Sequence, residues 1–536
     1  MEIKDDPSVI EPLLSKLRKN FLAGGTHDLK FRKTQLKKLL KGIHDLTDDL
    51  YKGLSKDLSK SSFDSSLTEV NPTVAEVEHA LNHFEEWAKP VSVDTPMLLL
   101  PSSSSYMKEP LGVVLVMGAW NYPIFETLTY LASAIASGNA CIIKSSEMSP
   151  FTTKVITRIV REYLDRRYYD VVEGGVQVSI ALTKAKFDHI VFTGSTAKGK
   201  LVAKAAAENL VPCTLELGGK CPVIIDESAD IDNACLRIAQ AKFVMNNGQV
   251  CLSADHLFIH EKIKDKFLKH FVETVNKFFK SNVERSVDYS RIINDFHTKR
   301  LAAMLSENHG GKPILSGPVK IEEKFIHPHV IWEPRRDSLM MQEEIFGPIL
   351  PCFSFGDIDS LIREIQSLDK PLALYYFGAA GKTNEMKVRT LTSSGAYSVN
   401  EVVLQVSNCD LPFGGIGASG QNKMHGVFGF NTLSHFKPVL VRNNMNSYPS
   451  SCRFPPYTSH KQSVISFLAC KAKVTQNQLV RFLIYMTVFA FVFFNYRKGN
   501  LDEPISLLSK LGTWALSLLT GFFGNSAAGT SDKDLQ

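Results

Sequence analysis

Between Gly112 and Ser195 the chain repeats one pattern: an uninterrupted apolar run, a turn, then a helical stretch. GVVLVMG (112–118) reads as a strand, AWNYP as a turn, and IFETLTYLASAIASG as a helix ending at Gly138. ACIIKS (140–145) is a second strand; VVEGG and HIVFTGS (189–195) continue the theme. Strands apolar on both faces and alternating with helices are those of a parallel sheet covered on both sides, an α/β fold. Ligands of such sheets sit beyond the carboxyl ends of the strands. Asn121, Lys144 and Gly194 fall there. A second alternating region runs from about 213 to 408 and leads into the glycine-rich loop LPFGGIGASG (411–420). With 536 residues, two or three domains are expected.

Charge and cysteine usage exclude several classes. The net charge is +6, from 61 basic and 55 acidic residues interspersed along the chain, which is not the concentrated basic face of a nucleic-acid binder. Nine scattered cysteines form no C-x-x-C pair, and the fifteen histidines form no H-E-x-x-H. A reducing, cytosol-facing compartment without structural disulfides is therefore expected, and no metal. The N-terminus opens with acids and lacks the apolar core of a signal peptide.

The C-terminus differs. FLIYMTVFAFVFF (482–494) is uncharged, and Lys471 and Lys473 on one side and Arg497 and Lys498 on the other flank it. As a helix, 479–496 would measure about 27 Å. A bilayer core is roughly 30 Å thick, so a short membrane anchor is expected here. Residues 446–478 read as a linker with a helical segment that could cover the site, and 505–524 as an interfacial or second membrane segment.

Cys251, in FVMNNGQVCLSAD (243–255), is the candidate nucleophile. Free cysteines are usually buried packing residues, so the decision rests on what else could act on this sulfur. Glu216, in TLELGGK, is a lone acid among apolar neighbours; burial raises such a carboxyl toward the range of a general base. Asn121 can present an amide to an oxyanion. Gly194-Ser195-Thr196-Ala-Lys-Gly199 opens a helix behind a strand, and its free N–H groups suit a pyrophosphate, although neither G-x-G-x-x-G nor a complete P-loop is met. Lys144 and Glu147 in KSSE suit ribose hydroxyls, the acid opposing an extra 2′-phosphate.

FTGST at 192, LELGGK at 215, NNGQVC at 246, EEIFGPIL at 343 and LPFGGIGASG at 411 together resemble the NAD(P)-dependent aldehyde dehydrogenase superfamily, over roughly residues 10–440. FRKTQLKKLLKGI, HG-FGFNT-SH (425–435) and the apolar tail resemble its class 3 branch, and within it the membrane-anchored fatty aldehyde dehydrogenases of fungi. The resemblance implies a Rossmann-type NAD-binding domain (1–212, with an arm hairpin near 90–110), an α/β catalytic domain (213–408) and a β oligomerisation arm (409–445). It implies Cys251 as nucleophile, Asn121 as oxyanion donor and Glu216 as the base that activates water. NAD, with NADP as the alternative, would be held by Lys144, Glu147 and the 194–199 turn, with Leu217, Gly218, Glu344 and Phe346 near the nicotinamide. Ser145 and Lys198 depart from the usual family pattern, and Lys198 bears on cofactor choice.

A homodimer is implied, acting on long-chain aldehydes and tethered to a lipid bilayer. Its catalytic part would face the cytosol at the mitochondrial outer membrane or endoplasmic reticulum, or at a lipid droplet or peroxisome. CoA-acylating or acyl-phosphate reduction, aromatic-aldehyde oxidation, and a non-enzymatic scaffold are the alternatives; Cys251, Glu216 and Asn121 together argue against the scaffold.

Overall fold

The apolar runs become the centre of a six-stranded sheet in the computed structural model, which describes residues 5–469 except 281, 445 and 447, together with 484, 487, 490 and 494. Its order is Gly420–Gln421, Cys213–Leu217, His189–Gly194, Val113–Met117, Ala140–Lys144, Tyr169–Val171, parallel except for the 420–421 edge. Val113–Met117 and Ala140–Lys144 are buried along their whole length, as a sheet covered on both faces requires. The helix Phe125–Ser137 is buried throughout and ends where Gly138 takes φ 88°, a left-handed cap that glycine adopts without steric cost.

Strand order reverses between Val113–Met117 and Val114's other neighbour, His189–Gly194, so the crevice of this sheet opens between Met117 and Gly194. A second, seven-stranded sheet runs Lys312–Leu315, His329–Trp332, Ile349–Phe355, His256–His260, Pro222–Ile225, Ala373–Phe377, Ala396–Val399, parallel apart from its first strand. Both sheets belong to one compact unit, residues 1–88 and 109–435.

The boundary expected at 212/213 needs correcting. Cys213–Leu217 hydrogen-bonds to His189–Gly194 in the first sheet, and the second sheet begins only at Pro222. Residues 409–445 divide likewise: Gly420–Gln421 returns to pair with Leu215 and Glu216, whereas the described residues between 436 and 469 belong to a second unit with 89–108. A three-stranded sheet of Val91–Val93, Ser102–Pro110 and Ser434–Arg442 lies mostly in that second unit, which also holds a helix, Ser459–Ala469. Among the described residues no helix is long and apolar enough to cross a membrane. The anchor expected at 479–496 and the segment at 505–524 lie outside the described residues, the four isolated positions aside, as does most of the expected covering helix.

Candidate active site

The two sheets meet the cleft from opposite ends. The first offers its carboxyl ends: Leu217, Gly194 and the turn after Met117. The second offers its amino ends, because Cys251 precedes His256–His260, Phe346 precedes Ile349–Phe355 and Leu372 precedes Ala373–Phe377. A rule that looks only at carboxyl ends finds half of such a site.

The segment before Cys251 is bent by three successive left-handed residues, Asn246 (φ 44°), Asn247 (φ 54°) and Gly248 (φ 72°). Asn and Gly tolerate this region; β-branched residues do not, which explains NNG at this position. A Cβ on Gly248 would lie 2.7 Å from the carbonyl oxygens of Gly347 and Lys242. Side-chain amides fix the bend. Gln249 Nε2 donates to the Arg291 carbonyl (2.9 Å), and Gln249 Oε1 accepts from Ile293 N–H (3.0 Å). Asn246 Nδ2 donates to the Asn121 carbonyl at 2.9 Å. Asn121 is buried and its Nδ2 donates to the Gln249 carbonyl at 3.1 Å, so in this state the amide secures the cysteine loop, with the second of its two N–H donors available.

Cys251 and Glu216 line one cleft with Leu67, Pro72, Tyr122, Phe125, Val250, Leu252, Leu372, Val403, Leu404, Val406 and Phe413. The walls are apolar and the floor is not. Glu216 lies in the sheet between Thr193 and Gly420. Both Glu216 oxygens, Tyr130 Oη and Thr193 Oγ1 have no hydrogen-bond partner among the described residues. Buried polar atoms of this kind are ordinarily satisfied by water or a polar ligand. Burial drives the Glu216 carboxyl well above the usual carboxylate range, against the opposing pull of the Lys423 ammonium. Burial likewise drives the Cys251 thiol up, and the carboxyls of Glu126 and Glu344 add to the shift.

The residues expected to hold a nucleotide are arranged around the strand ends. Lys144 closes its strand buried, its Nζ 2.5 Å from Glu147 Oε2. A cleft beside Glu147 is lined by Ser145, Ser146, Pro150, Val172 and Gly174. Ser195 caps the helix Thr196–Ala207, accepting from Lys198 N–H at 3.4 Å, and Thr196 Oγ1 donates to the Ala418 carbonyl at 3.1 Å. A Cβ on Gly199 would lie 2.6 Å from Leu217 Cδ2, so this glycine sets how closely the helix packs on Leu217. Gly218 is equally constrained: a Cβ there would lie 2.2 Å from Glu344 Oε2. Glu344, pushed up to about 7 by burial, is held in a braced turn. Arg300 donates to the Glu344 and Ile345 carbonyls (3.1 and 2.6 Å), and Asp255, paired with Lys220 at 2.5 Å, accepts from Ile345 N–H at 3.0 Å. Phe346, at φ 51°, packs edge-on against Trp120, centroids 5.4 Å apart. A helix N-terminus behind a strand, a buried lysine paired with a half-exposed acid and a glycine against a carboxylate fit a dinucleotide. Among the described residues no cluster of potential metal ligands occurs.

Several site residues are invisible to motif reading. Glu126 is the one charged residue in its helix, a signal that was available; it lines the cleft, accepts from Ala119 N–H at 2.9 Å, and is pushed up to about 8 by burial. Lys423 bonds the carbonyls of Gly414 and Gly415 beside Glu216. Lys60, Asp64 and Glu69 sit in a polar stretch, KSSFDSSLTE, that reads as solvent-exposed yet is folded inward.

A cysteine and a buried carboxyl line one cleft, and comparison with known proteins defines the class. Residues 11–439 match the model of the aldehyde dehydrogenase family, and the chain belongs to that family, oxidoreductases acting on aldehydes. Within it, the chain is 38% identical over 464 residues to aldehyde dehydrogenase family 3 member A2 of Mus musculus, covering 86% of this chain and 94% of that one. It is 37% identical over 449 residues to the dimeric NADP-preferring aldehyde dehydrogenase of Canis lupus familiaris, covering 84% and 98%. The substrate-bound structure of Staphylococcus aureus AldH superposes with a TM-score of 0.82 at 37% identity, covering 85% of this chain and 99% of that one.

Proposed function

We propose that this chain oxidises long-chain aliphatic aldehydes to carboxylic acids with NAD, at a membrane surface. The observation that carries the reading is the composition of the cleft: apolar walls suited to an alkyl chain leading to a polar floor beside Cys251. Cys251, once its thiol proton has been released to solvent, adds as the thiolate to the aldehyde carbon, and the resulting oxyanion is stabilised by the Cys251 N–H and the Asn121 amide; losing one such donor typically costs about 10²-fold in rate. A nicotinamide held beside Leu217, Gly218, Glu344 and Phe346 would supply the acceptor for the hydride that leaves that carbon. An acyl thioester remains on Cys251. Glu216 then takes a proton from a water held on the floor with Tyr130 and Thr193, and attack of that water frees the acid and regenerates the thiol. A base with water-holding neighbours favours hydrolysis over transfer to CoA or phosphate.

NAD is preferred in this reading because Glu147, 2.5 Å from Lys144, opposes an added 2′-phosphate. The dog relative's name records an NADP preference, so kinetics with both cofactors decide. The same name records a dimer, and a homodimer is proposed here. The apolar tail would tether the catalytic unit, facing the cytosol, to the mitochondrial outer membrane or endoplasmic reticulum, close to substrates that partition into lipid. The test is NADH and NADPH formation across an aldehyde series from short to C16, with the full chain and with residues 479–536 deleted. Rising kcat/KM with chain length and release of the truncated form to the soluble fraction are expected. A preference for short or aromatic aldehydes would refute the substrate assignment, and continued pelleting of the truncated form would refute the anchor.

A further inference from the structure

The stretch 60–69, joining the helices Thr47–Leu58 and Asn71–Trp87, lies outside every motif that carries chemistry, yet its charged side chains are buried. Lys60 and Glu69 form an ion pair of 2.8 Å with both side chains at 0% exposure. Lys60 Nζ also donates to Thr68 Oγ1 at 3.2 Å and stands 4.4 Å from the centre of the Tyr122 ring. Burying a charge is costly unless it is paired and hydrogen-bonded, so the arrangement calls for an explanation.

The remaining oxygens supply one. Glu69 Oε2 accepts from Ile124 N–H at 3.0 Å, in the turn that carries Asn121 and Tyr122. Asp64 Oδ2 accepts from Asn246 N–H at 3.2 Å, in the left-handed bend that carries Cys251. The two turns are themselves joined where Asn246 Nδ2 donates to the Asn121 carbonyl (2.9 Å) and Asn121 Nδ2 donates to the Gln249 carbonyl (3.1 Å). One short segment thus holds both turns, one carboxyl to each, with Lys60 balancing charge between them. Leu67 and Thr68, from the same segment, line the cleft.

We propose that Lys60, Asp64 and Glu69 are positioning residues that set the Cys251 thiol against the Asn121 amide, and that the segment bearing them also contacts the substrate chain. The inference rests on the reading of Cys251 as nucleophile. Misplacement of reacting groups by about 1 Å can cost about 10²-fold, which sets the scale of the effect. What matters at positions 64 and 69 is an acceptor oxygen for Asn246 N–H and Ile124 N–H, with Lys60 facing both carboxyls.

Two readouts test this in the full-length protein: steady-state kcat and KM with an aldehyde and NAD, and the rate of Cys251 alkylation by iodoacetamide, followed on the Cys251 peptide by mass spectrometry. Asp64→Leu is expected to lower kcat about 100-fold and to change the alkylation rate, with KM for NAD within about twofold. Asp64→Asn, which keeps an acceptor, is expected to stay within about threefold of wild type on both. Glu69→Gln, which still offers Ile124 N–H an acceptor and leaves Asp64 facing the ammonium, should outperform Glu69→Leu, which removes the acceptor. Should Asp64→Leu fail to fold, Asp64→Ser shortens the arm and carries the same expectation. Wild-type kcat and alkylation in a folded Asp64→Leu or Asp64→Ser protein would overturn the proposal, as would Asp64→Asn losing as much as Asp64→Leu. If the wild-type protein forms no NADH from any aldehyde, the functional reading fails instead, and the alkylation rates still report on the clamp.

Discussion

Replacing Glu126 by Gln should stabilise the protein, and by an amount that grows with pH. Glu126 is buried at the start of the Phe125–Ser137 helix with one hydrogen bond, from Ala119 N–H, which a glutamine carbonyl can equally accept. Loss of water pushes the carboxyl from its ordinary 4.5 up to about 8, and Glu69 adds to the shift while Lys60 opposes it. In the unfolded chain the group releases its proton near 4.5, whereas the folded protein keeps it to about pH 8. The native state therefore binds more protons across that interval, and wild-type stability falls as pH rises through it. At about 1.4 kcal/mol per pH unit, the cost to wild type is near zero at pH 4, about 3 kcal/mol at pH 7, and levels off above pH 8. Glutamine carries no such cost. Urea unfolding of wild type and Glu126→Gln at pH 4.5, 7 and 8.5 measures the gap as a difference in midpoint. A gap of constant size across the series, or one that shrinks with pH, would show that Glu126 is ionised in the fold and that the reasoning is wrong.

Three further outcomes follow from the same geometry. Because burial raises both Glu216 and Cys251, each is reactive only once deprotonated, so kcat/KM should climb with pH from 6 through the alkaline range; a profile that is flat or falls from pH 6 to 9 contradicts the burial argument. Gly218→Ala places a methyl 2.2 Å from Glu344 Oε2 and must displace that carboxyl, so kcat should drop by about tenfold or more while the protein remains folded by circular dichroism. Unchanged kcat would mean that Glu344 does no work at the nicotinamide end. Glu147→Gln should raise kcat/KM for NADP relative to NAD by about tenfold through loss of like-charge repulsion; an unchanged ratio assigns cofactor choice elsewhere, with Lys198, exposed in the first turn of the phosphate-side helix, next to examine.

The parts legible in the sequence are those with a local signature. Val113–Met117 and Ala140–Lys144 declare themselves because strands buried on both faces must be apolar at every position. Gly138 marks a helix end because its cap needs positive φ, and NNG before Cys251 marks a bend for the same reason. Residues whose role depends on what lies across the fold stay hidden. Lys60 and Glu69 look like solvated charges until they are seen paired and buried beside Tyr122. The edge strand Gly420–Gln421 is only two residues long, too short for any periodicity, and joins the first sheet because Glu216 and Leu215 offer an open edge. The 212/213 boundary failed for a related reason: Cys213–Leu217 reads equally well as the last strand of one sheet or the first of the next, and only its partner decides.

The most direct measurement is the chemical state of Cys251 during turnover. Glu216→Gln protein is mixed with hexadecanal and NAD, quenched in acid within the first turnover, digested, and the Cys251 peptide weighed. A single burst of NADH, matched one for one by a hexadecanoyl thioester on Cys251, is the expected result. NADH production that leaves Cys251 unacylated at every time point would contradict the account at its centre.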